Sequence, residues 1–315
     1  GEGSGSKIRH RFSRQMETHS PPKYNRMKTC TSISGGQTSA YLAANYPTQF
    51  NVFSLVRTSD KSCIFPDKKL RQFVSDKIGK EFIGTLESDE IIYTIIELEQ
   101  FIGSNIDWVS GATFDEVNKR GDKTYVPNVT MRFCTIEMKL KPIFQWWQNN
   151  CLIQENEPIE MRIGFRANEM RRAKNMYDRV NKDGLLEMKG IIGKHSNGNN
   201  KWKNFAWQKP SFPLIDNNIY KDKIVEFWKD KPVTFAKFNN CVGCFHRNPI
   251  LLKHMSDIQP TKFEWFVEQE KKSLKDYTGR TWLMGTTYEQ IKNHKSQLDL
   301  FDEDFEDCDS GHCGL

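Results

Sequence analysis

Apolar positions along the chain follow two rhythms, and the two alternate. Short β-prone runs stand at residues 28–34 (KTCTSIS), 51–56 (NVFSLV), 105–109 (NIDWV) and 159–165 (IEMRIGF). Between them, apolar residues recur at helical spacing. Residues 39–45 and 68–80 read as helices. Ile91, Ile92, Ile95, Ile96, Leu98 and Phe101 form a stripe behind Ser88, a good N-cap, with Asp89 and Glu90 suited to the first turn. TFDE at 113–116 is a capping-box pattern, and residues 135–149 form a further helix. Strands alternating with helices predict an α/β fold, a Rossmann-like parallel sheet with helices on both faces. In such sheets ligands bind beyond the carboxyl ends of the strands.

The second half reads as more helical. Helices are expected over 220–231 and 260–273, the latter opened by TKFE at 261–264 as a capping box, and 195–203 as a Gly/Asn/Lys-rich loop. The expected organisation is a nucleotide-binding α/β domain over 27–190, a helical part over 191–298, and a mobile acidic tail over 299–315. Residues 1–26 read as foreign to the fold: GEGSGS has the composition of an artificial linker and the rest is polar and basic, so the fold is expected to begin at Met27. An Arg-rich targeting segment is the alternative.

Composition narrows the class. At 37% hydrophobic and 12% aromatic residues the chain is globular rather than disordered. It has no run of 18 apolar residues, so no membrane span is expected, and its start lacks the apolar core of a secretion signal. Eight cysteines without a secretion signal point to the reducing cytoplasm, where clustered thiols bind metals or do redox chemistry. The net charge of +6 is unevenly spread. The leader supplies +4 and the tail from Asp299 to Asp309 holds seven acids and no base, which leaves +9 for residues 27–298. A basic body suits a nucleotide or a nucleic acid.

The first strand runs into Ser34-Gly35-Gly36-Gln37-Thr38-Ser39 and then a helix. Two glycines let the backbone turn tightly against an anion, successive N–H groups point at it, and the helix adds its positive end; Ser34, Thr38 and Ser39 add hydroxyls. Neither a Walker loop nor a G-x-G-x-x-G fingerprint is present.

S-G-G-x-x-S after a first strand resembles the PP-loop of the adenine nucleotide α-hydrolase superfamily, which includes ATP pyrophosphatases and phosphoadenosine phosphosulfate reductases. VPNVTMRFCTIEMKLKPI (126–143) is similar to the R-[FW]-C-T-x-x-x-K-x-x-P segment of the reductase-like branch, and IGFRANEMRRAK (163–174) to its G-x-R-x-x-E-x-x-R segment. SFPLIDNNIYKDKIVEFW (211–228) and NCVGCFHRNP (240–249) follow in the family's order. The resemblance implies that an adenine nucleotide, ATP or a sulfonucleotide, sits on residues 34–39, with Arg132 and Arg166 on its anionic groups. One departure concerns magnesium: the family loop usually carries Asp where this chain has Thr38.

Cys241-Val-Gly-Cys244 can bring two thiolates to one metal, its glycine expected to tighten the turn. The resemblance implies that Cys134 joins them. Three thiolates could hold a [4Fe-4S] cluster with one iron open, as in sulfur-transfer members of the superfamily; zinc, with His246 completing the set, is the alternative. Reductases use four cysteines including an adjacent pair, one of which is Phe133 here. The chain ends Cys313-Gly314-Leu315, similar to the ending that carries the reductases' nucleophilic cysteine, and Cys308 is close enough to resolve a bond to it. Cys313 and Cys308 are therefore candidate catalytic residues. Two enzymatic readings follow: sulfonucleotide reduction by Cys313, or ATP-dependent sulfur transfer from the metal site, with a nucleic acid as a possible acceptor. The candidate partners are the adenine nucleotide, a nucleic acid or sulfur-donor protein, and a second copy of the chain. A non-catalytic nucleotide- or nucleic-acid-binding metal protein is the alternative class; Thr38 supports it, as do Trp202 and Trp207 in a Lys-rich stretch.

Overall fold

The computed structural model describes residues 27–151, 157–276 and 278–294. One six-stranded sheet organises them. Its strands are β1 (Lys28–Ile33), β2 (Phe50–Ser54), β3 (Asp107–Val109), β4 (Ile159–Arg162), β5 (Leu186–Lys194) and β6 (Asn200–Ser211). Their order is β3-β2-β1-β4-β6-β5. Every neighbouring pair is parallel except β5 with β6, so the sheet is mixed, with one antiparallel strand at its edge.

Helices cover both faces, because alternate strand residues point to opposite sides. In β2, Phe53 faces a core with α1 (Gln37–Asn45), α2 (Lys68–Ile78), α3 (Glu90–Ile102) and α6 (Lys221–Trp228). Its neighbour Val52 faces the other core, with α4 (Lys141–Asn150) and α5 (Met170–Tyr177). A third core lies at the carboxyl end of the sheet. There Val56, two residues past β2, meets Cys134, Val242 and the helices α7 (Pro249–Ile258), α8 (Pro260–Lys275) and α9 (Tyr288–Asn293). The C-terminal helices therefore cap the end where ligands of parallel sheets bind.

The local chemistry explains where elements depart from expectation. The helix expected over 135–149 is interrupted. A turn at Phe133–Thr135 passes through a π-type segment, Ile136–Leu140, before α4. Pro142 is the cause: it has no N–H for the Met138 carbonyl, and its ring crowds that carbonyl. The buried Ser54 hydroxyl donates to it instead, at 2.8 Å. Of the stretch expected as a loop over 195–203, residues 195–199 form the turn of the β5–β6 hairpin and residues 200–203 are already strand. The capping box at 113–116 is present, with both reciprocal bonds. That at 261–264 is not, since Pro260 already occupies the first helical position and Thr261 lies inside α8. α3 begins after Asp89 rather than Ser88, whose hydroxyl donates to Glu90 Oε2 at 3.4 Å.

Candidate functional site

Residues 34–39 join β1 to α1 at the carboxyl end of the sheet. Ser39 closes the loop from inside: its Oγ accepts from Ser34 N–H at 3.1 Å, lies 3.0 Å from Ser34 Oγ, and donates to the Gly36 carbonyl at 3.1 Å. Gly35 has φ +81°, in the left-handed region, and a Cβ there would stand 2.6 Å from Ile91 Cγ2. Two constraints thus require glycine: the backbone angle and the first turn of α3. Gly36 is extended and makes no side-chain cap, and the first intrahelical N–H, that of Ala40, bonds Gly36 O at 3.1 Å. The N–H groups of the first turn before it have no helical acceptor. Gly164, two residues past β4, backs onto the loop: a Cβ there would lie 3.3 Å from Ser39 N and Cα. Gln37 is half-buried and gives its carbonyl to Trp228 Nε1 at 3.0 Å. Thr38 is buried, so the loop presents no carboxylate.

The cysteine segment reaches the same end of the sheet through residues 86–91. Val242 N–H donates to the Leu86 carbonyl at 2.8 Å, and Glu87 bridges Cys241 in antiparallel fashion. Four residues further on, Ile91 packs against Gly35. Glu87 is buried, paired with Lys139 at 3.0 Å, and its carbonyl accepts from Lys262 Nζ at 2.7 Å. Cys241 and Cys244 stand at the two ends of a tight turn closed by Cys244 N–H to the Cys241 carbonyl at 3.0 Å. Buried Arg247 braces it, donating to the carbonyls of Asn239 and Cys241. The glycine between the cysteines serves packing rather than turn geometry: a Cβ on Gly243 would fall 2.4 Å from the ring of fully buried Phe266.

Cys134 belongs to the same neighbourhood. Burial raises its thiol to about 11, and the Cys244 thiol adds to the rise. Burial likewise raises Cys241, with smaller contributions from Glu87, Cys244 and Cys134. The three thiols therefore feel one another in a desolvated setting, and as soft donors they have the chemistry of a thiolate metal site. Among the described residues no three Cys, His, Asp or Glu side chains stand at metal-ligand spacing, so holding a metal requires these thiols to lose their protons and close together. The six described cysteines are free of disulfides. Cys30, Cys63 and Cys151 are core residues. Cys308 and Cys313 lie outside the described residues.

The cationic groups converge beside the thiols. His246 is held below the ordinary imidazole value by burial first, then by the positive charges of Arg132 and Arg172. Arg166 is buried, its Nε donating to Glu169 Oε2 at 3.1 Å. Arg172 pairs with the other oxygen of Glu169 at 2.5 Å and lies over the Phe165 ring, 4.3 Å from its centroid. The charges of Arg132 and Arg172 are thus felt at His246, and Arg166 and Arg172 share Glu169, one on each carboxylate oxygen. Sequence reasoning missed Glu87, Lys262 and Arg247; Gly164 stood in the G-x-R segment, but its packing against the loop was not foreseen. Glu87 went unseen because it abuts the helix-start pattern at 88–90; Arg247, three residues past Cys244, carries no signal of its buried role.

Two outcomes follow. Gly35→Ala should destabilise the fold by about 1–3 kcal/mol. Gly79→Ala, at φ +62° with open space around it, should cost only about 1 kcal/mol; urea unfolding of both variants compares them. In the metal-free protein, alkylation of Cys134 by iodoacetamide should keep accelerating up to pH about 11 rather than levelling near the ordinary 9.0. The sign for stability follows: the unfolded thiol ionises first, so this contribution is intact below pH 9.0 and lost as pH climbs to about 11. Mass-spectrometric rates across pH test it.

No family model matches the chain, and no curated protein matches it. Among solved structures it is similar to U34-tRNA thiolase NcsA from Methanococcus maripaludis with its [4Fe-4S] cluster, at 15% identity and a TM-score of 0.36, over 91% of this chain and 81% of that one. At that distance the likeness gives no residue a role.

Proposed function

We propose that this chain is a PP-loop-type enzyme that binds an adenine nucleotide on residues 34–39 and uses it in sulfur transfer, with Cys134, Cys241 and Cys244 as the sulfur-handling thiols. One observation carries the reading: residues 86–91 touch the glycine loop at Gly35 and the cysteine turn at Cys241 and Val242, so phosphate cradle and thiols share one end of the sheet.

The roles follow from the chemistry of each group. The first-turn N–H groups of α1 and the Ser34 and Ser39 hydroxyls would bind phosphate oxygens. Arg132 and Arg172 would offset charge on the nucleotide or its leaving group. His246, kept neutral by its setting, would accept a proton or complete a metal's ligand set. Because the loop has no carboxylate, a magnesium ion would rest on phosphate oxygens and water. Cys134, Cys241 and Cys244 would hold the metal group, which when bound would supply a position for the sulfur to be passed on. The transfer reading is preferred over reduction because it uses only thiols gathered beside the loop. The setting proposed is a reducing compartment, consistent with the free thiols.

Anaerobic purification with metal analysis, followed by a pyrophosphate-release assay with ATP and sulfide, tests the reading. The expected protein is brown, carries iron, and releases pyrophosphate in the presence of an acceptor; Cys241→Ser and Cys134→Ser lose iron and activity, whereas Cys313→Ser retains both. Sulfite release from a sulfonucleotide, abolished by Cys313→Ser, would instead establish the reductase. Nucleotide binding without turnover under either condition would leave a binding protein.

A further inference from the structure

The β5–β6 hairpin runs well beyond the sheet it completes. β6 pairs with β4 only over residues 208–211. The eight strand residues before that span roughly 26 Å, and they project from the amino end of the parallel strands, away from the glycine loop. The base is anchored: Phe205 and Trp207 are buried, and a Cβ on Gly190 would lie 3.0–3.1 Å from Phe205, Gln148 and Phe144. Trp207 is therefore core, not a ligand-binding ring. Beyond that base every residue from 191 to 202 is exposed.

This outer arm has an unusual composition. No carboxylate occurs between residues 188 and 215, while Lys189, Lys194, Lys201, Lys203 and Lys209 do. Trp202 is 55% exposed and stands opposite Ile191, itself 51% exposed, in the strand register; Ile192 lies at an irregularity beside them. An indole and two isoleucines left in water, on an arm whose charged residues from 188 to 209 are all lysines, fit a ligand that is both polyanionic and flat-faced. A duplex offers phosphates but keeps its base faces stacked, so the indole selects unpaired bases. The arm projects away from the glycine loop, so a ligand that reaches both the arm and that loop must be a polymer.

We propose that the β5–β6 arm binds single-stranded nucleic acid, its lysines on phosphates and Trp202 stacked on an unpaired base. Under the sulfur-transfer reading this polymer is the acceptor, but the arm's binding stands without that reading. Fluorescence anisotropy with a labelled RNA strand about twenty nucleotides long, without ATP or metal, tests the arm alone, so failed sulfur chemistry and failed arm binding remain distinguishable. Trp202→Ala should weaken binding about 5- to 100-fold, with an unchanged circular dichroism spectrum. Lys194→Gln with Lys201→Gln should flatten the slope of log affinity against log salt by about 1.4. A DNA strand of the same sequence shows which sugar the arm takes, and binding of either supports the proposal. Absence of binding at low salt, or equal affinity for the duplex with Trp202→Ala indifferent, overturns it. So does a dimer that Trp202→Ala dissociates, which would make the arm a contact between copies of the chain.

Discussion

Antiparallel backbone pairing of residues 86–87 with 241–242, including Val242 N–H to the Leu86 carbonyl, connects the late cysteine turn to the segment that leads to the early glycine loop. Residues 86 and 87 run directly into α3, whose Ile91 fills the space a side chain on Gly35 would need. The spacing between glycine loop and thiols is thus set by the half-dozen residues 86–91. Buried Glu87 reinforces it: its side chain takes Lys139 from the π-type segment that follows the Cys134 turn, and its carbonyl takes Lys262 from α8. Three chain regions far apart in sequence converge on one short strand. A carboxylate so placed is stable only while its cations remain, because a buried charge stripped of partners is costly.

The electrostatics of the site have two levels. Burial raises the Cys134 thiol to about 11 and raises that of Cys241 as well. Burial first, and then the charges of Arg132 and Arg172, hold His246 below the ordinary imidazole value. Such a site favours an incoming anion, whereas a metal ion would have to displace the thiol protons to bind.

Much of the architecture was legible because it depends on local rules. The strand at 28–33, the glycine turn and the helix after it follow from short-range pattern, and so does the capping box at 113–116. Errors arose where tertiary partners decide. Pro142 reshapes its helix through a carbonyl that Ser54 satisfies, and Ser54 is more than eighty positions away. The β5–β6 hairpin hid behind polar, Gly- and Asn-rich residues, because an exposed arm lacks the alternation that a buried face imposes. For the site, residue types pointed to the loop and thiols, but not to Glu87 or Arg247. Their importance lies in burial, and Gly243 was credited to turn geometry when a phenyl ring is its reason.

The central claim is that the nucleotide loop and the cysteines open onto one site. Alkylation of the metal-free protein with and without saturating ATP measures it directly, residue by residue, by mass spectrometry. The account predicts that ATP slows modification of Cys244 while leaving the distant Cys151 unchanged. Tight ATP binding with an unaltered Cys244 rate would contradict it.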